Sequence, residues 1–137
     1  MRVVCDVNVV VSAALLPGSI PHQALNRVLV TGRLVTSEDL IRTTRQTLLR
    51  PKFERYITED ERLEFLAALI SDSELVAVTQ RVTACRDVDD DMVLEAAVNG
   101  QATHIVTGDR DLLVLHPFRS IAILTPKDFV ALPDIKA

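Results

Sequence analysis

Aromatic residues are scarce in this sequence: it has no tryptophan, one tyrosine and four phenylalanines among 137 residues. So few rings leave little surface on which nucleic-acid bases could stack, and no sequence specificity can be derived from them. Cysteine is also rare, with only Cys5 and Cys85, which form no Cys-x-x-Cys pair and accompany no histidine cluster. A disulfide framework and a zinc site are therefore not expected, and both thiols fit small buried side chains in a reducing cytoplasm.

Long apolar runs are missing as well. No segment approaches the roughly twenty apolar residues that span a bilayer, so we expect no membrane partner. Arg2 precedes an apolar stretch, but Asp6 and Asn8 interrupt it where a signal peptide needs an unbroken apolar segment. Lysine supplies only three of the fifteen basic residues and the formal net charge is −4, so global charge gives no reason to expect a nucleic-acid partner.

Hydrophobic residues make up 48% of the chain and charged residues 25%, the balance of a globular protein, and the length fits one domain, residues 1–137. Short β-branched or apolar segments predict strands near residues 3–6, 34–35, 75–78, 104–107 and 121–124. Helical patterns lie between them, near residues 9–16, 22–30, 37–49, 58–70, 89–99 and 109–115, with a last turn after 125. This alternation predicts an α/β fold, a three-layer α/β/α sandwich with a central, mostly parallel sheet.

Carboxylates accompany these predicted elements at three places. Asp6 ends the first strand, the run CRDVDDD occupies residues 85–91, and VTGDRDL occupies residues 106–112. Open parallel sheets bind ligands outside the carboxyl ends of their strands, so we expect these stretches to meet there. The aspartate run could also simply favour the positive end of the following helix, and Asp109 could be a helix N-cap. For Asp6 we expect no capping role, because an apolar strand offers no helix end.

Clustered carboxylates repel one another and cannot all remain ionised at low dielectric constant without a cation. Oxygen ligands suit hard divalent ions such as Mg²⁺ or Mn²⁺, and zinc fits poorly without a histidine or cysteine cluster. Such sites most often perform phosphoryl transfer, in which the metal activates water and holds the phosphate. The sequence therefore predicts a Mg²⁺ or Mn²⁺ site built on aspartates.

The segment DVNVVVSAAL resembles the N-terminal motif of PIN-domain proteins, and four further segments match in order and spacing: SEDLIRTTRQTLLRPKF, CRDVDDDMVLEAA, HIVTGDRDLL and IAILTPKDF. The resemblance covers nearly the whole chain and is closest to PIN proteins described as toxin components of type II toxin–antitoxin modules. It implies a small α/β sandwich, Mg²⁺- or Mn²⁺-dependent endoribonuclease activity on RNA, an antitoxin partner and a homodimer.

The resemblance also implies roles for particular residues. The family's first, third and fourth acids correspond to Asp6, Asp90 and Asp109, which would be catalytic and hold the metal. Asp91 is the competing register for Asp90, and Asp111 lies beside Asp109, so both are further candidate metal ligands. The positions that orient these ligands correspond to Asn8, Ser12 and Thr107.

The family's second acid is absent from this sequence. Relatives have a glutamate six residues after the serine of the SEDL segment, but six residues after Ser37 is Thr43, which supplies no charge. Glu38 lies one turn too early on that helix, and Glu95 lies one turn beyond Asp91 and could reach inward. Two alternatives remain: a ribonuclease with reduced or altered metal affinity, or a degenerate PIN-like module that binds RNA or an antitoxin with weak or no cleavage.

Contacts to RNA would have to come from local positive charge, because the total charge is negative. The densest basic segment contains Arg42, Arg45, Arg50 and Lys52, and a solvated helix face is the alternative explanation of these residues. Two other enzyme classes fit less well. A haloacid-dehalogenase-like phosphohydrolase needs an aspartate where Asn8 stands, and a receiver domain needs one at the end of the segment LVAVT.

Overall fold

The computed structural model describes residues 1–133, and the predicted domain end at residue 137 lies outside the described residues. Five short strands form one sheet: β1 (Arg2–Cys5), β2 (Arg33–Thr36), β3 (Ser73–Leu75), β4 (His104–Val106) and β5 (Ala122–Leu124). The strand order is β3-β2-β1-β4-β5, and all neighbouring pairs are parallel. The predicted α/β fold with a central, mostly parallel sheet is confirmed.

Helices cover this sheet. Within residues 1–133 they are α1 (Val7–Leu15), α2 (Ile20–Thr31), α3 (Glu38–Leu48), α4 (Glu59–Ser71), α5 (Val88–Asn99), α6 (Arg110–Leu113) and α7 (Pro126–Val130), with a 3₁₀ turn at Pro51–Phe53. Predicted N-caps are present at Ser37 and Thr125, and Thr58 forms a capping box with Glu61. In this described part of the chain, none of the helices is long and apolar enough to span a membrane.

Alternate strand residues pack into two separate cores. One core contains buried residues of α3 and α5 together with the strand residues Val4, Val35, Ile105 and Ile123. The other contains buried residues of α2 and α7 together with the strand residues Val3, Cys5, Leu34 and Val106. Because successive side chains of a strand point to opposite faces, this division gives three layers: helix, sheet and helix.

The strand order opens a crevice beside β1. The chain passes from β1 to β2 on one side, whereas β4 pairs with β1 on the other side. Open α/β sheets bind ligands at such a point of divergence, outside the carboxyl ends of the strands. The register pairs Cys5 with Val106, and the backbone N–H of Asp6 donates to the Val106 carbonyl at 3.0 Å. The residues that follow β1 and β4 therefore lie side by side.

Two local expectations need correction. The third strand covers Ser73–Leu75 rather than residues 75–78, because its partner β2 ends at Thr36 and offers no further pairing beyond Val76. The first helix begins directly after Asp6, which is its N-cap, so the expectation that this aspartate caps no helix is wrong. The valine-rich segment is helical because seven of its nine residues are buried, and burial outweighs its low helix propensity.

Candidate metal centre

Three aspartates that are far apart in the sequence line one pocket, which we call the acidic pocket. Asp6 follows β1, Asp109 follows β4 after a short loop, and Asp90 lies in the first turn of α5. The pocket has a volume of about 250 Å³, and Asp87 and Asp89 also line it. The sheet brings the first two together because β1 and β4 are parallel neighbours, and α5 supplies the third from the layer above.

Thr107 connects the two loops that carry Asp6 and Asp109. Its buried hydroxyl donates to Asp6 Oδ2 at 2.6 Å. The Thr107 hydroxyl oxygen in turn accepts the backbone N–H of Asp109 at 3.0 Å. The second oxygen of Asp6 accepts the backbone N–H of Asn8 at 3.4 Å. Asp109 Oδ1 accepts the backbone N–H of Asp111 at 2.9 Å. Asp6 is thus the N-cap of α1, and Asp109 is the N-cap of α6. Short local hydrogen bonds thus fix the direction of both carboxylates.

The carboxylates of this pocket crowd one another. Oxygen atoms of Asp90, Asp109 and Asp111 all lie within 4.8 Å of one another. Burial raises the pKa of Asp90 to about 7, assisted by a hydrogen bond to Asp109 and by the negative charge of neighbouring carboxylates. Burial also raises the pKa of Asp6, and hydrogen bonds to its carboxylate offset part of that rise. A bound cation would favour the ionised forms that this crowding disfavours.

The donor atoms around the pocket suit a hard divalent cation. Its acidic side chains offer carboxylate oxygens, and no histidine or cysteine among residues 1–133 lines it. Carboxylates and waters are the usual ligands of Mg²⁺ and Mn²⁺, whereas protein zinc sites favour imidazole and thiolate. The residues present therefore fit Mg²⁺ or Mn²⁺.

Asp91 has a different environment from its neighbour Asp90. Its Oδ1 accepts the backbone N–H groups of Ala84 and Cys85 at 3.0 and 2.8 Å. These two hydrogen bonds anchor the segment that precedes α5. The structure thus brings Asp90 to Asp109 and leaves Asp91 holding the backbone on another side of the helix.

Neither glutamate that could have replaced the missing second acid lines the acidic pocket. Glu38 lines a separate cleft beside β3. Glu95 is buried and accepts the backbone N–H of Val82 at 3.1 Å, so it holds the loop before α5. At the expected position, Thr43 lines the pocket and its hydroxyl donates to Met92 Sδ at 3.6 Å. The wall formed by α3 is therefore polar and carries no carboxylate at this point.

The residues expected to orient the acids lie in different places. Thr107 hydrogen-bonds to Asp6, and Asn8 both lines the pocket and donates its backbone N–H to that aspartate. Ser12, one turn further along α1, lines a neighbouring cleft instead. Thr47 also lines the acidic pocket and was not singled out from the sequence. Its spacing of four residues from Thr43 on a helix is the signal that predicts this shared face.

The four basic residues of the α3 segment are not gathered at one point. Arg50 lines the acidic pocket, and Lys52 lines the neighbouring cleft. Arg42 pairs with Asp39 at 2.7 Å, and Arg45 is exposed in the last turn of α3. Only Arg50 among these four therefore shares a cavity with the aspartates.

The two adjacent aspartates of α5 are expected to affect metal-free stability in opposite directions. The pKa of Asp90 is about 7 in the folded chain against an ordinary value of 3.8, so the unfolded chain binds fewer protons between these pH values. Its contribution to the free energy of unfolding therefore falls as pH rises through this range. Asp90→Asn removes that loss, so its melting temperature at about pH 8 in EDTA should be higher than that of the wild type.

Asp91→Asn is the matched variant, since it makes the same change of charge one residue away. It weakens two charge-assisted hydrogen bonds and should lower the free energy of unfolding by about 1–2 kcal/mol. Thermal and urea denaturation in EDTA provide both measurements. A destabilised Asp90→Asn protein beside an unaffected Asp91→Asn protein would show that the two environments are assigned the wrong way round.

Comparison with known proteins agrees with the fold. The sequence matches the PIN domain over residues 2–111. It is 30% identical over 141 aligned residues to the uncharacterized protein MJ1680 of Methanocaldococcus jannaschii, covering 95% of this chain and 90% of that protein. The fold is similar to that of a chain in the crystal structure of VapBC2 from Rickettsia felis bound to a DNA fragment from their promoter. The two chains superpose with a TM-score of 0.58 at 12% identity, over 90% of this chain and 97% of that one. The protein belongs to the PIN domain family.

Proposed function

We propose that this protein is a Mg²⁺- or Mn²⁺-dependent endoribonuclease and the toxin of a toxin–antitoxin pair. The observation that carries the proposal is the convergence of Asp6, Asp90 and Asp109 from three distant segments on one pocket. PIN domains are generally nucleases and generally depend on divalent metal, which agrees with a pocket lined by carboxylates.

Asp90 and Asp109, whose carboxylate oxygens lie within 4.8 Å of each other and of an Asp111 oxygen, would hold the divalent ion. Asp6, which lines the same pocket, would complete the ligand set from the end of β1. When bound, such an ion supplies Lewis acidity and positive charge to a phosphodiester, effects worth several kcal/mol of transition-state stabilisation in metal enzymes. Asp91 would have no part in this arrangement, because it does not line the pocket and its Oδ1 accepts two backbone N–H groups.

The chain's own groups would orient the reactants. Thr107 and the N–H of Asn8 hold the Asp6 carboxylate in one direction, so its charge is positioned before substrate arrives. In the hydrolysis, the oxygen of a water molecule forms a bond to phosphorus and the P–O3′ bond breaks. A carboxylate of the pocket would accept one proton of that water, and a solvent water would donate the proton that the departing O3′ takes up. The products would be a 5′-phosphate and a 3′-hydroxyl.

Arg50 would contact the RNA backbone beside the aspartates, since it is exposed and lines the same pocket. Lys52 would extend this contact into the neighbouring cleft, and Arg42 and Arg45 along α3 would add more distant positive charge. Arginine and lysine contacts to phosphate weaken steeply with salt. RNA affinity that does not fall with added salt would therefore contradict this assignment.

An antitoxin partner is also proposed, on two grounds. One structural neighbour comes from a VapBC toxin–antitoxin complex, and the excess of carboxylates in the acidic pocket is complementary to arginine side chains presented by a partner segment. A homodimer is proposed from the family resemblance. Neither partner changes the residues assigned to cleavage.

A second candidate function is favoured by the position of Thr43. Neither Glu38 nor Glu95 reaches the place of the missing acid, so the family's second acid position, Thr43, carries no carboxylate. A PIN-like module that binds RNA or an antitoxin, with weak or no cleavage, agrees with that observation.

Replacing Asp6 tests the proposed cleavage. Asp6→Asn keeps an oxygen that can accept from Thr107, so the fold should remain, while a charge at the metal is lost. Cleavage of a labelled single-stranded RNA in Mn²⁺ should fall by about 100-fold or more, as expected when several kcal/mol of metal-dependent stabilisation are removed. Asp72→Asn is the control, because this exposed aspartate lies at the end of α4 and away from the acidic pocket. Equal cleavage by Asp6→Asn and wild-type protein refutes the ribonuclease assignment.

Restoring a carboxylate at position 43 separates the two candidate functions. Thr43→Glu should bind Mn²⁺ roughly tenfold more tightly or better, because a further negative charge faces the ion. Calorimetric titration with Mn²⁺ measures the affinity, and Thr43→Gln controls for side-chain size. Cleavage that arises only in Thr43→Glu identifies the natural protein as the degenerate module, whereas cleavage already present in the wild type identifies the nuclease. No difference in affinity between the two variants would show that position 43 does not face the metal.

A further inference from the structure

A second cleft lies next to the acidic pocket. It has a volume of about 310 Å³, and Asn8, Thr47 and Arg50 line both cavities. We call it the aromatic cleft, and the residues that define it here are Leu16, Arg50, Lys52, Phe53 and Tyr56. Pockets that take small organic groups begin at about 300 Å³, so the space suits one such group.

Two of the five aromatic rings in the whole sequence lie at this cleft. The Tyr56 residue is 45% exposed, and Leu16 beside the same cleft is 47% exposed. The rings of Phe53 and Tyr56 have centroids 6.4 Å apart and are inclined at 57°. A protein so poor in rings thus leaves one accessible to solvent next to its acidic pocket. An accessible ring of this kind provides a face on which a planar group can stack.

Positive charge surrounds these rings. Lys52 Nζ lies 5.1 Å from the ring centroid of Phe53, and the guanidinium carbon of Arg55 lies 5.1 Å from that of Tyr56. Arg50 adds a third cation at the boundary with the acidic pocket. Among residues 1–133, these three cations form no ion pair with a carboxylate. The cleft is therefore a local cationic surface on a chain with a net charge of −4.

A buried arginine fixes the segment that forms this wall. Arg62 is 1% exposed and donates to the backbone carbonyls of Leu48, Arg50 and Thr58. Its guanidinium also pairs with Glu54 at 2.6 Å. These bonds span the end of α3, the 3₁₀ turn and the start of α4. The wall is therefore ordered before a ligand arrives, which reduces the entropy lost on binding.

We infer that the aromatic cleft binds one nucleotide of single-stranded RNA, with its base against Tyr56 and its phosphate between Arg50 and Lys52. This inference rests on the proposed function, because it assumes that the substrate of the acidic pocket is RNA. A planar, anionic nucleotide matches a ring flanked by cations. A partner segment rich in arginine, suited to the acidic pocket, would be repelled by Arg50, Lys52 and Arg55. The observations therefore favour RNA over protein at this cleft.

Binding measured without metal tests the inference separately from cleavage. Fluorescence anisotropy with a labelled, short single-stranded RNA in EDTA gives the affinities of wild-type, Tyr56→Leu and Tyr56→Phe proteins. Tyr56→Leu should weaken binding about five- to 150-fold, the range expected for loss of one stacked base, and Tyr56→Phe should bind like wild type. Phe118→Leu is the matched control, because that ring also has an arginine over it, at 5.2 Å, and does not line the cleft. It should bind like wild type.

An RNA that carries abasic sites supplies the second arm. Wild-type and Tyr56→Leu proteins should bind it equally, because the base that stacks is missing. Equal affinity of Tyr56→Leu and wild type for the intact RNA overturns the inference and favours a protein segment as occupant of the cleft. If the wild type then cleaves RNA with Mn²⁺, the proposed function stands without the nucleotide site. If the wild type neither binds nor cleaves RNA, the nucleotide site and the proposed function are both refuted.

Discussion

Carboxylates crowd one another at the carboxyl ends of β1 and β4, and the rest of the site has to offset their repulsion. Thr107 donates to Asp6, and the N-termini of α1 and α5 direct partial positive charge towards the aspartates at their first turns. These contacts are insufficient, because burial, and after it the neighbouring carboxylates, keep the pKa of Asp90 raised to about 7. A divalent cation would complete the compensation, so metal affinity and metal-free stability are opposed at this edge of the sheet.

The acidic pocket and the aromatic cleft have opposite charge and meet at Arg50. The proposed reaction would use both kinds of surface, since RNA phosphates are attracted to cations while a metal-dependent hydrolysis uses carboxylates that hold the ion. The negative total charge of the chain does not exclude such a ligand, because the local field decides binding at a site. With Thr43 in place of the second acid, the wall of the pocket that α3 forms presents the hydroxyls of Thr43 and Thr47 rather than a further carboxylate, and Arg50 follows just beyond the helix. This division of charge would orient an RNA strand from the cleft towards the aspartates.

The order of the elements was predictable from the sequence because short apolar strands alternate with helices that have strong caps, as at Ser37 and Thr58. The capping role of Asp6 was not, since the valine run continues from strand to helix without a change of composition. Nor could sequence decide between Asp90 and Asp91, which are chemically identical neighbours. Adjacent residues of a helix point in different directions, so Asp90 and Asp91 face different surroundings. Asp91 meets the loop at Ala84 and Cys85, and no local sequence pattern predicts the path of that loop. The aromatic cleft was missed for a similar reason: a count of rings does not reveal that two of the five lie beside the acidic pocket.

Anomalous diffraction from crystals of the wild-type protein equilibrated with Mn²⁺ would test directly whether the acidic pocket binds a divalent cation. We expect an anomalous peak in the acidic pocket, within coordination distance of the carboxylates of Asp90 and Asp109 and beside Asp6. Crystals that contain Mn²⁺ but show no peak there, or a peak only at other carboxylates, would contradict it.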